Sequence, residues 1–400
     1  MERAITDGGI KAAHFRKLSE VYRLQARLDE ALRAARRAIA LDPSDPLGPF
    51  NLAMVHYDRL ETEACIASAR HAMDLRPNLP QARMKHAQAL LLVGQFAQGW
   101  EEYEWRYQIP GAQPLMPPSI AAQRKRPQWD GRKLAGQRLL LIGDQGFGDV
   151  VMFARYIPWV RERCAEIVIA CSAEMVPIMA GMFPDMPLVS RWDDCPDYAA
   201  FIPLSGLPRL HGTRLDNIPG GGPYMQADPA RAQAWRERLD AQIPAGVRRI
   251  GIAWAGRPTH NNDANRSISL QTLAPIAALE GIALVSLQKG PAAAQVSGYV
   301  GGAQLVDLDK QIGDFADTAA IIDGLDLLVT VDTAIGHFAG AMGKPAWIML
   351  PYAPDWRWLL GRGDTPWYPS LRLFRHYAPR RWDLLMPEVA AELRRVVLAG

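Results

Sequence analysis

The chain has 400 residues, of which 49% are hydrophobic and 22% are charged, and its formal net charge is +3. This length and composition exclude a disordered or fibrous chain and predict two or three globular domains. Basic and acidic residues are well mixed, so the charge gives no argument for a nucleic-acid partner or an anionic membrane surface.

The first twenty residues contain many polar and charged side chains and no apolar run of signal-peptide length, and no run of eighteen apolar residues occurs anywhere in the chain. The four cysteines show no paired spacing of the kind that binds zinc. We therefore expect no signal peptide, no transmembrane segment, no disulfide and no zinc site. These features predict a soluble, cytoplasmic protein.

The first 110 residues contain a 34-residue period. Leu41-Asp42-Pro43 recurs as Leu75-Arg76-Pro77, with small residues at fixed places before each. The positions in register are Ala31, Cys65 and Gly99, and also Leu28, Thr62 and Phe96. Small residues let two antiparallel helices approach closely and proline ends the second helix, which is how a tetratricopeptide repeat (TPR) is built. The period predicts an α-solenoid over residues 1–110, with units at 10–43, 44–77 and 78–110.

Such an array either binds a partner on its concave face or serves as a cap on the next domain, and the sequence leaves both open. Its last unit ends in an aromatic-rich run from Trp100 to Arg106. Large aromatic side chains supply much buried area, so we expect this run to anchor the array to the following domain. Stacking on a carbohydrate is the alternative.

Residues 111–135 are rich in proline and are predicted to form a linker. Strands then alternate with helices twice, over 136–228 and over 229–382. The predicted strands are 138–143, 166–170, 201–204, 250–254, 283–287, 304–308, 327–331 and 346–350, and the predicted helices are 150–163, 229–242, 270–279, 315–325 and a closing helix within 383–400. Two such series predict an α/β architecture of two Rossmann-like lobes facing each other across a cleft.

The first strand of the first lobe runs into a glycine-rich loop, residues 143–149. Glycine permits tight turning at the carboxyl end of the strand, and Asp149 then opens a helix that faces the cleft. A carboxylate in this place could take a proton from an acceptor hydroxyl as a general base, or it could only cap the helix. The loop residues predicted to lie on the acceptor side are Gln145, Gly146, Phe147 and Gly148.

In the second lobe, the strand ending at 254 leads through a polar loop to Arg266. An arginine in this position can bind a diphosphate with two hydrogen bonds. Arg257 is the second candidate, and either could instead be a solvated surface charge. Gln288 and Lys289 end the next strand, where they could contact a nucleobase edge or form a simple turn.

Residues 326–345 predict a buried parallel strand followed at once by a helix of small residues. Free backbone N–H groups and the helix dipole at such a turn attract an anion. The alternative is an ordinary strand-to-helix turn with a capping side chain and a packed histidine. The residues of this turn are Asp332, Thr333, Ala334, Gly336 and His337.

The stretch resembles the donor site of heptosyltransferase-like glycosyltransferases, whose pattern is Asp-Thr-Gly, then Gly-His or a close variant, then Gly-Lys-Pro. Ala334 stands here in place of the first glycine. Three further motifs extend the resemblance to bacterial TPR glycosyltransferases related to the heptosyltransferase (family 9) and protein O-GlcNAc transferase groups. They are the aromatic end of the repeats, the linker with loop 143–149, and the tryptophan-rich segments 354–358 and 367–369.

The resemblance implies a GT-B fold, inversion at the anomeric carbon, no metal or other cofactor, and a C-terminal tail that crosses back to the first lobe. It implies that Arg266 and the turn at 332–337 hold the diphosphate of a nucleotide sugar and that Asp149 is the general base. Asp307-Leu308-Asp309 spells the metal-binding triplet of the other glycosyltransferase class. It is discounted because helix N-termini and arginine can carry the leaving charge.

The resulting hypothesis is an inverting glycosyltransferase that passes a sugar from a nucleotide-sugar donor to a hydroxyl. Because a solenoid suits a polypeptide, we expect a protein acceptor recruited by the repeats, with flagellin or another surface protein as the family-level suggestion. The first rival is an enzyme that builds lipopolysaccharide or another glycan. The second is a non-catalytic TPR scaffold with degenerate lobes, for which Ala334 is the best sequence support.

Overall fold

A computed structural model describes residues 11–397 of the chain, which form two compact units. Of these residues, 11–114, 212–216 and 352–361 form the repeat unit, and the remainder forms the α/β unit. The predicted fold class is confirmed, because a helical array precedes two parallel sheets. Residues 1–10 of the predicted solenoid and 398–400 of the predicted closing helix lie outside the described residues.

Among the residues from 11 onward, three helix pairs form the array of the repeat unit. Its helices are α1 (Ala12–Leu24), α2 (Leu28–Leu41), α3 (Leu47–Asp58), α4 (Thr62–Leu75), α5 (Pro80–Leu92) and α6 (Phe96–Tyr103). The second helix of each pair begins at Leu28, Thr62 or Phe96, the positions that the 34-residue period aligns. The first two of these helices end at Leu41 and Leu75, the first residue of the recurring proline motif.

Small residues allow the helices of each pair to approach closely. Ala31 and Cys65 are fully buried. A methyl group on Gly99, the third position in register, would lie 2.6 Å from Cδ2 of Leu91 and 3.2 Å from its backbone nitrogen. A helix crossing this close has no room for a larger side chain, which explains the period in the sequence.

Replacing Gly99 by alanine is expected to lower the free energy of unfolding. Overpacking costs about 1–3 kcal/mol, more than the ~0.5–1 kcal/mol that alanine returns in a helix. Gly181 is the matched control, because it also lies in a helix (Val176–Met182) but has nothing within 4 Å of an added methyl group. Denaturant unfolding should therefore show a loss for Gly99→Ala and none for Gly181→Ala; equal midpoints would contradict the packing argument.

The aromatic end of the repeats binds two segments from much later in the chain. Trp100 packs edge-on against Trp356, with ring centroids 5.2 Å apart, and its Nε1–H donates to the carbonyl of Thr213 at 3.2 Å. The hydroxyl of Tyr57 donates to the carbonyl of Pro354 at 3.3 Å. These segments join the repeat unit, whereas the predicted domain boundaries place them in the two lobes.

The first lobe of the α/β unit has a four-stranded parallel sheet in the order β3-β2-β1-β4. Its strands are β1 (Leu134–Ile142), β2 (Cys164–Ala170), β3 (Leu188–Val189) and β4 (Ala200–Pro203). Its helices are α7 (Pro118–Arg124), α8 (Phe147–Ala154), α9 (Ile157–Arg161), α10 (Val176–Met182) and α11 (Leu207–His211). Part of the predicted linker belongs to this lobe, since Met116 packs in its core with Leu140 and Val168.

The second lobe has a six-stranded parallel sheet in the order β10-β9-β8-β5-β6-β7. Its strands are β5 (Arg248–Ala253), β6 (Ile282–Ser286), β7 (Gln304–Asp307), β8 (Leu327–Val331), β9 (Ala346–Leu350) and β10 (Leu371–Arg375). Its helices are α12 (Pro229–Asp240), α13 (Asp263–Arg266), α14 (Ala274–Ala277), α15 (Phe315–Asp323), α16 (Ala334–Ala341) and α17 (Trp382–Val397). No helix within residues 11–397 combines the length and apolarity needed to span a bilayer.

Proline divides two helices that the sequence predicts as continuous. The predicted helix 150–163 is α8 followed by α9, with Pro158 in the first turn of α9. The predicted helix 270–279 is a 3₁₀ turn (Leu270–Leu273) followed by α14, with Pro275 in the first turn. Proline lacks an N–H and clashes with the preceding turn, so it is tolerated at the start of a new helix. The short β3 and the edge strand β10 were not predicted.

The closing helix α17 packs on the second lobe. Leu385, Val389 and Leu393 recur at helical spacing on one face and join Ile252 and Trp254 in a single apolar core. The structure therefore corrects the expectation, taken from the family resemblance, that the tail crosses back to the first lobe. An apolar stripe is buried most fully on the nearest uncovered sheet face, and β10 delivers α17 to that face.

The four cysteines, Cys65, Cys164, Cys171 and Cys195, are buried free thiols. Burial raises the pKa of the Cys65 and Cys171 thiols to about 11. These two thiols therefore stay protonated at neutral pH, as expected of core residues.

Candidate functional site

The loop after β1 has a fixed shape. The backbone N–H of Gly143 donates to the carbonyl of Ala170 at 2.7 Å. The Asp144 carboxylate accepts hydrogen bonds from the backbone N–H of Ser205, at 3.1 Å, and from its hydroxyl. Gln145, which is exposed, has a φ of +66°, a left-handed conformation that costs energy for a residue with a side chain. Asp144 and Ser205, which the sequence did not single out, hold the loop in this conformation.

Asp149 lies in the first turn of α8 and is half-buried. Its Oδ2 accepts a hydrogen bond of 3.0 Å from the backbone N–H of Gly146. The capping alternative raised by the sequence is thus present in the structure. A carboxylate has two oxygens and about four acceptor sites, so a capping hydrogen bond does not by itself exclude the base role.

Arg266 reaches the turn at the end of β8. Its Nη1 donates to the carbonyl of Asp332 at 3.0 Å, and its side chain is only 14% exposed. Gly256 makes room for it, because a methyl group there would lie 2.5 Å from Nη2. Arg257 is exposed, with its guanidinium 5.2 Å from the ring centroid of Phe147. The two basic candidates are therefore in different places, and Arg266 is the one at the predicted donor turn.

Thr333 is the N-cap residue of α16, but its side chain makes no capping hydrogen bond. Its hydroxyl instead lies 3.2 Å from that of Thr330. In the first turn of α16, the N–H of Gly336 donates to the carbonyl of Thr333 at 3.1 Å. The first N–H groups of a helix generally lack an intrahelical partner, so the start of α16, where Ala334 is half-buried, suits an anion.

The glycines of α16 serve packing. A methyl group on Gly336 would lie 2.7 Å from Cδ1 of Ile348 in β9, and one on Gly340 would lie 2.5 Å from the ring of Tyr368. Both glycines therefore make room for neighbouring groups of the protein. They let the helix approach its sheet and one aromatic ring.

His337 joins the two lobes. It is 4% exposed, and its Nδ1 shares a hydrogen bond of 2.9 Å with the hydroxyl of Tyr368. The opposite edge of the ring lies against Gly148 of α8, where a methyl group would be 2.6 Å from Cδ2 and 3.3 Å from Nε2. The predicted acceptor loop and the predicted donor turn therefore meet where Gly148 contacts His337. Gly148 is the residue directly before Asp149.

Arg155 is a buried cation directly behind this contact. It donates from Nη1 to the carbonyl of Trp367 at 2.8 Å and from Nη2 to the hydroxyl of Tyr224 at 3.1 Å. Its guanidinium lies 4.8 Å from the ring centroid of Tyr368. Burial opposes its charge, but Tyr224 and Tyr368 outweigh that effect and raise the pKa of Arg155. The sequence analysis missed Arg155, although an arginine ending an otherwise apolar helix was the available signal.

Gln288 braces the loop after β5. Its side-chain oxygen accepts from the backbone N–H groups of Trp254 and Ala255, at 3.0 and 2.9 Å. Its side-chain nitrogen donates to the carbonyls of Ala255 and Lys289, at 3.1 and 2.9 Å. Both lone pairs and both donors of this buried amide are engaged. The structure thus corrects the prediction that this side chain contacts a nucleobase edge.

Lys289 also ties two loops together. Its Nζ donates to the carbonyls of Asp309 and Ile312 and lies 3.4 Å from Oδ1 of Asp309. The Asp307 carboxylate accepts from the backbone N–H of Asp309 at 3.1 Å. Among residues 11–397, no three His, Cys, Asp or Glu side chains converge as metal ligands would.

No protein-family model matches the chain. It is 28% identical over 396 residues to Protein FlbA of Caulobacter vibrioides (strain ATCC 19089 / CIP 103742 / CB 15), a curated relative. This alignment covers 92% of the chain and 63% of the relative, so the chain spans less than two thirds of that protein's length.

Solved structures similar to the chain include glycosyltransferases of both groups that the sequence resembles. A family 9 glycosyltransferase from Veillonella parvula DSM 2008 is 10% identical, with a TM-score of 0.46 over 67% of this chain and 98% of that one. The E. coli ADP-heptose lps heptosyltransferase II is 14% identical, with a TM-score of 0.46 over 66% and 99%. The Thermobaculum terrenum O-GlcNAc transferase is 16% identical, with a TM-score of 0.31 over 87% and 77%.

Proposed function

We propose that the chain is an inverting glycosyltransferase that moves a sugar from a nucleotide-sugar donor to a hydroxyl group. The observation that carries this proposal is the contact between Gly148 and His337. It brings a carboxylate of the first lobe close to the anion-attracting turn of the second lobe. A displacement at a sugar carbon needs these two functions side by side.

The proposed reaction is a single displacement at the anomeric carbon. Asp149 takes the proton of the acceptor hydroxyl while the hydroxyl oxygen attacks the anomeric carbon. The bond from that carbon to the diphosphate breaks on the opposite side. The negative charge that develops on the leaving nucleoside diphosphate is met by Arg266, by the N–H groups that begin α16 and by His337. One attack from the opposite side inverts the anomeric carbon.

No metal is needed in this scheme, because a guanidinium and a helix N-terminus supply positive potential where the leaving charge forms. Asp307 and Asp309 are engaged with the loop backbone and with Lys289. We therefore propose metal-independent transfer without a cofactor.

A panel of nucleotide sugars, screened by thermal shift in buffer containing EDTA, tests donor binding. The accepted donor should raise the melting temperature, since a ligand at 100 times its Kd adds about 2.7 kcal/mol. The matching nucleoside diphosphate should also stabilise, whereas the free sugar should not. Stabilisation that requires added magnesium would contradict metal independence.

For the acceptor, we propose a protein recruited through the repeats, with flagellin or another surface protein as the example. The repeats hold two irregular segments of their own chain through Tyr57 and Trp100, which supports binding of polypeptide. Intact-mass measurement on a co-expressed surface protein would show the added sugar. Label that appears only on lipopolysaccharide or another glycan would favour the glycan-building alternative.

A non-catalytic scaffold is the second candidate, and two observations favour it. His337 is almost completely buried, and Asp149 is engaged as a helix cap. Calorimetry with the nucleotide-sugar panel separates the two functions: a scaffold with degenerate lobes binds none of them, whereas a transferase binds at least one.

A further inference from the structure

Tyr368 holds the ring of His337 from the side opposite Gly148. The Tyr368 hydroxyl and Nδ1 of His337 are joined by a hydrogen bond of 2.9 Å, and both side chains are buried. Tyr368 is itself confined. Its ring packs directly on Gly340, where even a methyl group would lie 2.5 Å from it, and Arg155 lies over the ring. Neither ring can turn without displacing a packed neighbour.

The charge of Arg155 biases how this hydrogen bond is shared. Neutral imidazole has one N–H donor and one acceptor nitrogen, and a phenol can donate or accept. A cation beside the phenol stabilises negative charge on its oxygen and so strengthens it as a donor. The same cation opposes a second positive charge on the imidazole. Both effects favour a Tyr368 O–H that donates to an unprotonated Nδ1.

We propose that Tyr368, fixed by Arg155, is a positioning residue that sets the tautomer of His337 and places its proton on Nε2. That nitrogen is one of the ring atoms that lie against Gly148, the residue before Asp149. The catalytic consequence alone rests on the proposed function: the Nε2–H then donates to the leaving phosphate oxygen. The opposite tautomer would present a lone pair and repel that oxygen.

The tautomer can be measured without any substrate. Nitrogen NMR of the full chain labelled with ¹⁵N-histidine distinguishes a protonated from an unprotonated ring nitrogen, and His337→Gln assigns the signal by its loss. In the unmodified protein we expect the proton on Nε2. In Tyr368→Phe, which keeps the ring but removes the hydroxyl, we expect the His337 signals to shift toward a mixture of tautomers.

Tyr224→Phe is the matched control. It removes a hydroxyl from the same buried junction, where Tyr224 bonds to Arg155 and to the carbonyl of Val151 and not to His337. The His337 tautomer should be unchanged in this variant. A proton on Nδ1 in the unmodified protein, or equal shifts in both variants, would overturn the proposal.

With an accepted donor in hand, Tyr368→Phe should lower kcat about tenfold or more and change KM little, because the donor N–H matters most as charge develops. The two proposals fail separately. If no nucleotide sugar binds but the proton is on Nε2, the glycosyltransferase function is lost and the positioning role remains. If donors bind and turn over while the tautomer does not depend on Tyr368, only the positioning role is lost.

Discussion

Asp149→Asn is expected to lower turnover by roughly 10²–10⁴-fold, the usual contribution of a general base, while donor affinity stays close to normal. The amide oxygen of asparagine can still accept the N–H of Gly146, so the cap on α8 is retained. The amide cannot take up a proton from the acceptor hydroxyl. Donor binding by calorimetry and turnover by product formation should be measured on the same preparation.

Asp317 provides the control for this substitution. It occupies the same position at the start of α15 and accepts the N–H of Gly313 at 2.9 Å, as Asp149 accepts that of Gly146. Asp317→Asn should cost some stability, because it also weakens the contact with Arg231, but should leave turnover unchanged. Normal turnover in Asp149→Asn would remove Asp149 from the base role and leave it as a cap.

Arg266→Gln is expected to weaken donor binding roughly tenfold to hundredfold, the range for a lost hydrogen bond to a charged group. Arg266 is nearly buried beside the carbonyl of Asp332, where screening by water is weak. Titration calorimetry with the accepted donor and with its nucleoside diphosphate gives the change in Kd. Both ligands should lose affinity equally, because the proposed contact of Arg266 is to phosphate.

Arg257→Gln tests whether position or mere charge matters. Arg257 is exposed over Phe147, and an exposed charge contributes little to binding in salt. The Kd of the Arg257→Gln variant for the donor should change by less than about threefold at physiological ionic strength. A larger loss of donor affinity in Arg257→Gln than in Arg266→Gln would indicate that the phosphate site is not at the start of α16. For Arg266→Gln, thermal unfolding without ligand would show whether the lost bond to the carbonyl of Asp332 has altered the fold.

The local features of this chain were predictable because they depend on spacing. A 34-residue period places small residues at helix crossings, and the structure puts Ala31, Cys65 and Gly99 at those crossings. The meeting of Arg266 with Asp332 follows from topology, since β5 and β8 are parallel neighbours whose carboxyl ends share one edge. Strand order alone therefore predicts that Arg266 and Asp332 lie together.

The contacts that could not be predicted join residues with no shared pattern. Nothing in the sequence indicates that Tyr368 bonds to His337 or that Arg155 lies behind both. Gln288 shows the same limit from the other side. Its position at a strand end is typical of a ligand contact, but all four of its hydrogen bonds go to nearby backbone. Position alone does not tell a brace from a binding group.

The seating of Trp356 on Trp100 has a consequence for how the protein is made. Tyr57 and its partner Pro354 are 297 positions apart in the chain. The repeats therefore emerge from the ribosome long before their last packing partners have been synthesised. Until then the large aromatic rings face water, a state prone to aggregation in which chaperones commonly intervene. A translation product that stops after the third repeat would therefore lack part of its own interior.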